Sequence, residues 1–350
     1  FMPISDIFPD AGITFWDVAH ETNGGLIADG YTRSTGKMSM VIAQNGPGIT
    51  GLVTPIKTAY WNHTPLLLVT PQAANKTMGQ GGFQEVEQMN LFKDMVCYQE
   101  EVRDPSRMAE VLNRVIEKAI RGSAPAQINV PRDYWTQVID IELPPIVRLE
   151  RQGGGADAIA KAANLLSNSK FPVILSGAGV VIGGAIEETK KLAEKLDSPV
   201  CSGYQHNDSF PGSHPLAVGP LGYNGSKAAM ELISKADVVL ALGTRLNPFS
   251  TLPGYGIDYW PKNANIIQVD INPDRIGLTK KVTVGISGDA KLVAQQIFDK
   301  LSSTAGDIDR QKRKDLIHQT KSAWLQKLSS LDHEEDDEGT VWNKEARERD

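Results

Sequence analysis

Met38-Ser-Met-Val-Ile-Ala-Gln-Asn-Gly-Pro-Gly48, continued by 49–61 and then by Pro65-Leu-Leu-Leu-Val-Thr70, is the stretch that decides the fold. An apolar, β-rich run reaches Ala43. A turn follows whose glycines permit close backbone approach and whose proline fixes it. Residues 48–61 read as a helix and a second apolar run starts at Pro65, so the pattern is strand, crossover helix, parallel strand. Outward from there, strands are predicted at 13–18, 38–43, 66–70, 95–100 and 126–130. They alternate with helices near 23–34, 48–61 and 105–121, the last with Met108, Val111, Leu112, Val115, Ile116 and Ala119 at helical spacing. Alternation of this kind specifies an α/β fold around a mostly parallel sheet.

The pattern then repeats. Ile141-Glu-Leu-Pro-Pro-Ile-Val147 reads as a proline-stiffened connector and Gln152-Gly-Gly-Gly155 as a flexible hinge, which puts a domain boundary near 150. Beyond it, helices at 156–169, 184–196, 226–234 and 290–301 alternate with strands at 172–176, 200–202, 237–241, 266–270 and 283–286, a doubly wound, Rossmann-like arrangement. Three segments result: 1–150, 151–303, and a polar helical linker at 304–350 that contains the acidic run His333-Glu-Glu-Asp-Asp-Glu338.

Composition narrows the function. The 350 residues carry 36 Lys plus Arg against 42 Asp plus Glu, a net charge of −6, which argues against nucleic acid or an anionic membrane as partner and for a small molecule. Apolar runs such as 65–69 and 238–242 fall far short of the ~18 residues a membrane span needs, and no leader pattern opens the chain, so a cytoplasmic location is expected. Two cysteines, Cys97 and Cys201, are too few for a disulfide framework or a thiolate metal site. The histidines lack ligand spacing, so no metal bound by this chain alone is expected.

At the end of the first predicted strand stands His20-Glu21, followed by Asn23-Gly-Gly-Leu-Ile-Ala-Asp-Gly-Tyr-Thr-Arg33. Ligands in open α/β sheets bind outside the carboxyl ends of the strands, which gives Glu21 a functional address. Taken alone, Glu21 reads equally as an acid complementing a helix dipole. The ordered series of His-Glu, Ala-Asp-Gly-Tyr-x-Arg, Asn45-Gly-Pro-Gly48 and Phe83-Gln-Glu85 resembles the pyrimidine-binding domain of thiamine-diphosphate enzymes of the acetolactate-synthase group. Ser176-Gly-Ala-Gly-Val180, Ala241-Leu-Gly-Thr-Arg245 and Gln268-Val-Asp-Ile-Asn-Pro273 resemble the middle domain of the same group, in which some members bind FAD or another nucleotide. A lone Gly-x-Gly is weak evidence of a dinucleotide and no acidic ribose ligand is clearly placed, so structural packing is the favoured reading.

The resemblance implies thiamine diphosphate and Mg2+ as cofactors. It implies that Glu21 hydrogen-bonds the aminopyrimidine ring, favouring the tautomer that deprotonates the thiazolium carbon. It also puts the Gly46-Pro47-Gly48 turn against the cofactor and Phe83 and Gln84 on the substrate side; near those segments, His63 is a candidate proton carrier and Lys57 and Lys76 are candidate cations for anionic substrates. Each of these three also reads blandly, as a loop histidine, a helix-surface charge and a loop tip. The runs Thr58-Ala-Tyr-Trp-Asn-His-Thr-Pro65, Pro71-Gln-Ala-Ala-Asn-Lys-Thr77, Gly79-Gln-Gly-Gly-Phe-Gln-Glu-Val-Glu-Gln88, Tyr204-Gln-His-Asn-Asp208 and Gly219-Pro-Leu-Gly-Tyr-Asn-Gly225 are similar to the branch of that group that acts on sulfoacetaldehyde. That implies sulfoacetaldehyde and phosphate as substrates, acetyl phosphate and sulfite as products, and a homodimer or homotetramer. The alternatives are a 2-oxoacid carboligase of the acetolactate-synthase type and a non-catalytic nucleotide-binding module.

The group's Gly-Asp-Gly segment, which holds the diphosphate and magnesium, does not occur here; Gly288-Asp289-Ala290 reads as a strand-to-helix cap. With Phe1 at one end and the charged Trp342-Asn-Lys-Glu-Ala-Arg-Glu-Arg-Asp350 at the other, the chain is expected to be a fragment, inactive alone, without the group's first strand and diphosphate-binding domain.

Overall fold

A computed structural model describes residues 7–145, 150–302 and 307–332. Contacts divide the chain into two units, Phe1–Arg148 and Leu149–Asp350.

The first unit is a four-stranded sheet of β1 (Ser39–Ile42), β2 (Leu66–Gln72), β3 (Tyr98–Glu101) and β4 (Ala126–Pro131) in the order β1-β2-β4-β3, every pairing parallel. Alternation along β2 sends Leu66 and Leu68 to one face and Leu67 and Val69 to the other. The first face is covered by α1 (Glu21–Thr35), α2 (Pro47–Thr50), α3 (Val53–Trp61) and α4 (Gln88–Phe92), which contribute Ala28, Ile49, Ile56 and Phe92. The second face is covered by α5 (Met108–Gly122) through Val111, Val115 and Ala119. A fully buried Ile or Phe of this kind contributes about 1.5–3 kcal/mol.

Two expectations change here. Residues 13–18 form no strand, and Ile13, Phe15, Trp16 and Val18 are exposed; β-rich residues make a strand only where an edge pairs with them and a face is buried. The helix expected over 48–61 is broken into α2 and α3 at Gly51 and Leu52. Pro55 is the cause, since its ring cannot share a helix with the carbonyl four residues earlier, which is that of Gly51. Thr22 Oγ1 donates to that freed carbonyl at 2.7 Å.

The second unit is a six-stranded, all-parallel sheet of β5 (Pro172–Ser176), β6 (Val200–Ser202), β7 (Ala217–Pro220), β8 (Val238–Leu242), β9 (Asn265–Asp270) and β10 (Val284–Ser287), ordered β10-β9-β8-β5-β6-β7. Read from β7, this is the doubly wound order with its reversal between β5 and β8. Strand β7 went unpredicted because four residues containing a glycine and a proline carry no periodic signal. The helices are α6 (Ala156–Ser167), α7 (Ala178–Ile182), α8 (Ile186–Leu196), α9 (Lys227–Ile233), α10 (Ala290–Lys300) and α11 (Asp307–Asp332).

The segment 152–155, expected as a hinge, is fastened within this unit. Asp289 N–H donates to Gln152 O at 2.7 Å and Gln296 Nε2 to Gly153 O at 2.9 Å. Gly154, at φ +80°, leaves no room for a Cβ, which would lie 2.6 Å from Ile286. Helix α11, expected as a linker, also packs on the unit: Ile317 is buried, Trp324 meets Tyr255 edge-on at 5.6 Å, and Lys321 Nζ donates to His214 O. The acidic run at 333–338 lies outside the described residues.

Among the described residues, no helix is long and apolar enough to cross a membrane.

Candidate active site

The site of the first unit starts from a glycine. A Cβ on Gly25 would stand 2.4 Å from Pro55 Cγ and 3.3 Å from Leu52 Cδ2, so only glycine lets α1 cross α3 this closely. The crossing, with the Thr22–Gly51 hydrogen bond, lays the first turn of α1 on the break between α2 and α3. His20 caps α1, its Nδ1 accepting from Thr22 N–H at 3.1 Å. Glu21 follows, half-buried.

The Glu21 carboxylate rests on glycine backbone. A Cβ on Gly48 would lie 3.3 Å from Glu21 Oε1, and one on Gly51 would lie 3.3 Å from Oε2 and 3.2 Å from Glu21 Cβ. A Cβ at 48 or 51 would press on the Glu21 side chain at tighter than ordinary contact distance. Among the described residues, Glu21 makes no ion pair and its carboxylate accepts no hydrogen bond, so its oxygens are available to a ligand.

Gln84 meets the same turn from the other side. Asn45 Nδ2 donates to Gln84 O at 3.0 Å, and Gln44 Nε2 to Gln84 Oε1 at 2.7 Å. A Cβ on Gly46, at φ +75°, would come within 2.9 Å of Gln84 Cβ and O. Gln84 itself has φ +61°, a strained conformation for a side chain with a Cβ. Phe83 is 87% exposed beside it. The turn expected at the cofactor thus brings Glu21, Gly46, Pro47, Gly48 and Gln84 together.

The three other candidates stand elsewhere. His63, at φ +58°, follows the far end of α3, about 13 Å along the helix axis from the Gly51 break. Lys57 Nζ donates to Asp94 O at 2.7 Å and lies 5.0 Å from the Tyr60 ring centre. Lys76 is exposed in the loop after β2. Among the described residues, neither Lys57 nor Lys76 forms an ion pair with Glu21. Sequence reasoning missed the positioning roles of Thr22, Gly25, Gly51 and Pro55, which set the crossing and the break under Glu21; Pro55 within the expected helix was the available signal.

In the second unit, the turn after β5 reaches the reversal of the sheet, but its amides are already engaged. Gly177 N–H donates to Leu242 O at 3.0 Å and Gly179 N–H to Gly243 O at 2.8 Å. A Cβ on Gly179 would lie 2.7 Å from Gly243 Cα. The glycines serve the approach of two backbone segments. Strand β6 ends in Ser202 and runs into Gly203 and Tyr204, none of them the acid that would hold a ribose. Asp270, at the end of β9, is pushed up by burial against the pull of the Asn272 N–H and the charges of Arg275 and Arg245. Among the described residues, no three His, Cys, Asp or Glu side chains converge as a metal site.

Comparison with known proteins agrees with this architecture. Residues 1–91 match the family model described as thiamine pyrophosphate enzyme, N-terminal TPP binding domain, and residues 159–297 match thiamine pyrophosphate enzyme, central domain. The chain is 77% identical over 348 residues to a protein of Rhizobium meliloti (strain 1021) named probable sulfoacetaldehyde acetyltransferase, covering 99% of this chain and 59% of that protein. It is 78% identical over 346 residues to the sulfoacetaldehyde acetyltransferase of Roseovarius nubinhibens, covering 99% of this chain and 57% of the relative. A probable acetolactate synthase large subunit of Methanocaldococcus jannaschii is 33% identical, with 94% of this chain and 55% of the relative covered. The chain therefore spans less than three fifths of the length of these relatives.

Proposed function

From the premise that this chain belongs to the thiamine pyrophosphate enzymes, of which it carries the N-terminal and central domains, we propose that the protein converts sulfoacetaldehyde and phosphate to acetyl phosphate and sulfite. The similarity of 77–78% to the two sulfoacetaldehyde acetyltransferases, against 33% to the acetolactate synthase subunit, supports this substrate over a 2-oxoacid.

The observation that carries the reading is Glu21 on its glycine cradle. When bound, thiamine diphosphate supplies a carbon nucleophile and electron sink for cleavage beside a carbonyl. The chain's share is to hold the pyrimidine end. A half-buried carboxylate without a cation partner can share a proton with a ring nitrogen of that pyrimidine, as a salt-bridged carboxylate could not. Gly48 and Gly51 leave space against the carboxylate that a side chain would fill. Gly46 and Pro47 fix the turn, Gln84 stands at its edge, and Phe83 offers an apolar face on the substrate side.

The diphosphate and Mg2+ are proposed to be held outside this chain. The protein is proposed to work as a homodimer or homotetramer, a reading supported by the exposed Trp16, Leu26, Ile27 and Tyr31 of the first unit.

The test is product formation by the full-length protein that contains this chain, supplied with thiamine diphosphate, Mg2+ and phosphate. Sulfite and acetyl phosphate in equal amounts from sulfoacetaldehyde, with little turnover of pyruvate, are expected. Acetolactate from pyruvate without sulfite release would replace this reading with the carboligase.

A further inference from the structure

Residues 79–87 carry Phe83 and Gln84, and the two residues differ in a way the motif does not explain. Phe83 is almost fully exposed, whereas Gln84 is held in a left-handed conformation against Gly46. A loop with three glycines, two of them at positive φ (Gly79 +82°, Gly81 +71°), would ordinarily sample many shapes. Something has to hold it.

Glu85 does so. Its Oε1 accepts from Gly79 N–H at 2.6 Å and its Oε2 from Gly82 N–H at 3.0 Å, so one carboxylate closes both ends of the glycine segment. Hydrogen bonds to an ionised acceptor are the stronger kind. Two buried amides fasten the chain just beyond: Gln72 Nε2 donates to Val86 O at 3.1 Å, and Gln88 Nε2 to Pro71 O at 2.7 Å. These tie the loop to the end of β2, one of the two inner strands of its sheet. Among the described residues, no cation pairs with Glu85, so its charge serves the backbone amides alone.

We propose that Glu85 is a positioning residue: it locks the 79–85 loop and thereby fixes Gln84 on Gly46, at the edge of the proposed cofactor turn. The inference rests on the proposed function for its catalytic consequence and on the loop geometry alone for the lock.

Two arms test it. In the first, which needs neither cofactor nor substrate, amide hydrogen exchange of the 78–87 segment and chymotrypsin cleavage after Phe83 are compared in wild-type protein, Glu85→Gln and Glu85→Ala. Loss of both accepted hydrogen bonds is expected to raise exchange at Gly79 and Gly82 and cleavage after Phe83 by about tenfold in Glu85→Ala, with less in Glu85→Gln, which keeps one acceptor. The exchange of β2 and β4 stays unchanged. Equal exchange and cleavage in all three proteins would overturn the lock. In the second arm, kcat and KM for sulfoacetaldehyde are measured in the full-length protein. A rise in KM that Glu85→Gln partly rescues is expected. A loosened loop with unchanged kinetics would overturn the positioning role. If wild-type protein itself turns over no sulfoacetaldehyde, the proposed function fails, while the first arm still decides whether Glu85 locks the loop.

Discussion

The crossing of α1 over α3 can be tested by the same substitution at two glycines of one helix. Gly25 and Gly30 both lie inside α1, and neither has a positive φ, so replacing either by alanine gains about 1 kcal/mol of helix propensity. Their surroundings differ completely. A Cβ on Gly30 would meet nothing within 4 Å, while one on Gly25 would lie 2.4 and 2.5 Å from Pro55 Cγ and Cβ. Pro55 is a closed ring and cannot rotate aside, so the helices must part by more than 1 Å, roughly, and such overpacking costs about 1–3 kcal/mol. Gly30→Ala should therefore stabilise the chain by about 0.5–1 kcal/mol, and Gly25→Ala should be neutral to about 2 kcal/mol destabilised. The propensity gain cancels between the two variants, so their difference in urea midpoint reports the clash itself. In the full-length protein, Gly25→Ala should also lower kcat/KM by about tenfold or more, because Glu21 rides on α1 and misplacement of that order is costly in rate. Equal stability of the two variants, or wild-type kinetics in Gly25→Ala, would refute the account of how Glu21 is positioned.

Other expectations follow from the same structure. Arg114 hydrogen-bonds both Glu100 and Glu110, and its bond lowers Glu100, while Arg107 and then Arg114 bring Glu110 down to about 2. Carboxylates depressed in the folded state stabilise it above their unfolded values near 4.5 and lose that contribution as pH falls toward 2, so Arg114→Gln should flatten the acid limb of a stability-against-pH curve. Ile317→Ala should destabilise the second unit by about 2–5 kcal/mol in chemical denaturation if α11 belongs to its core, and by nothing if that helix is only a linker. Gly179→Ala should cost about 1–3 kcal/mol by forcing the β5 turn from Gly243, and calorimetry of wild-type protein with FAD or ADP should give no binding that depends on the Gly177 and Gly179 amides.

How much of this was legible in the sequence depends on the range of the cause. Strands buried on both faces, such as 66–72 and 238–242, announce themselves as apolar runs, and α5 as a 3.6-residue stripe; both signals are local. The false strand at 13–18 and the missed β7 fail for one shared reason: whether a short segment pairs is decided by neighbours distant in sequence. Glu21 and the Gly46–Gly48 turn were reachable as an ordered motif. Their juxtaposition was not, because it depends on Gly25 meeting Pro55 thirty residues away. Similarly, Gln152–Gly155 has the composition of a hinge, yet hydrogen bonds from Asp289 and Gln296 fasten it. The polar sequence of α11 hid its docking, which joins three apolar residues, Leu316, Ile317 and Trp324, to polar contacts such as Lys321 with His214 O and Arg313 with Lys170 O.

The central claim is that Glu21 handles the proton of the cofactor's pyrimidine end. Its most direct test is deuterium exchange at the thiazolium C2 position of thiamine diphosphate bound to the full-length protein, with saturating cofactor and Mg2+, in wild-type, Glu21→Gln and Lys57→Ala forms. A loss of about 10²-fold or more in Glu21→Gln, with Lys57→Ala exchanging like wild type, is the predicted result. Exchange at the wild-type rate in Glu21→Gln would contradict the account.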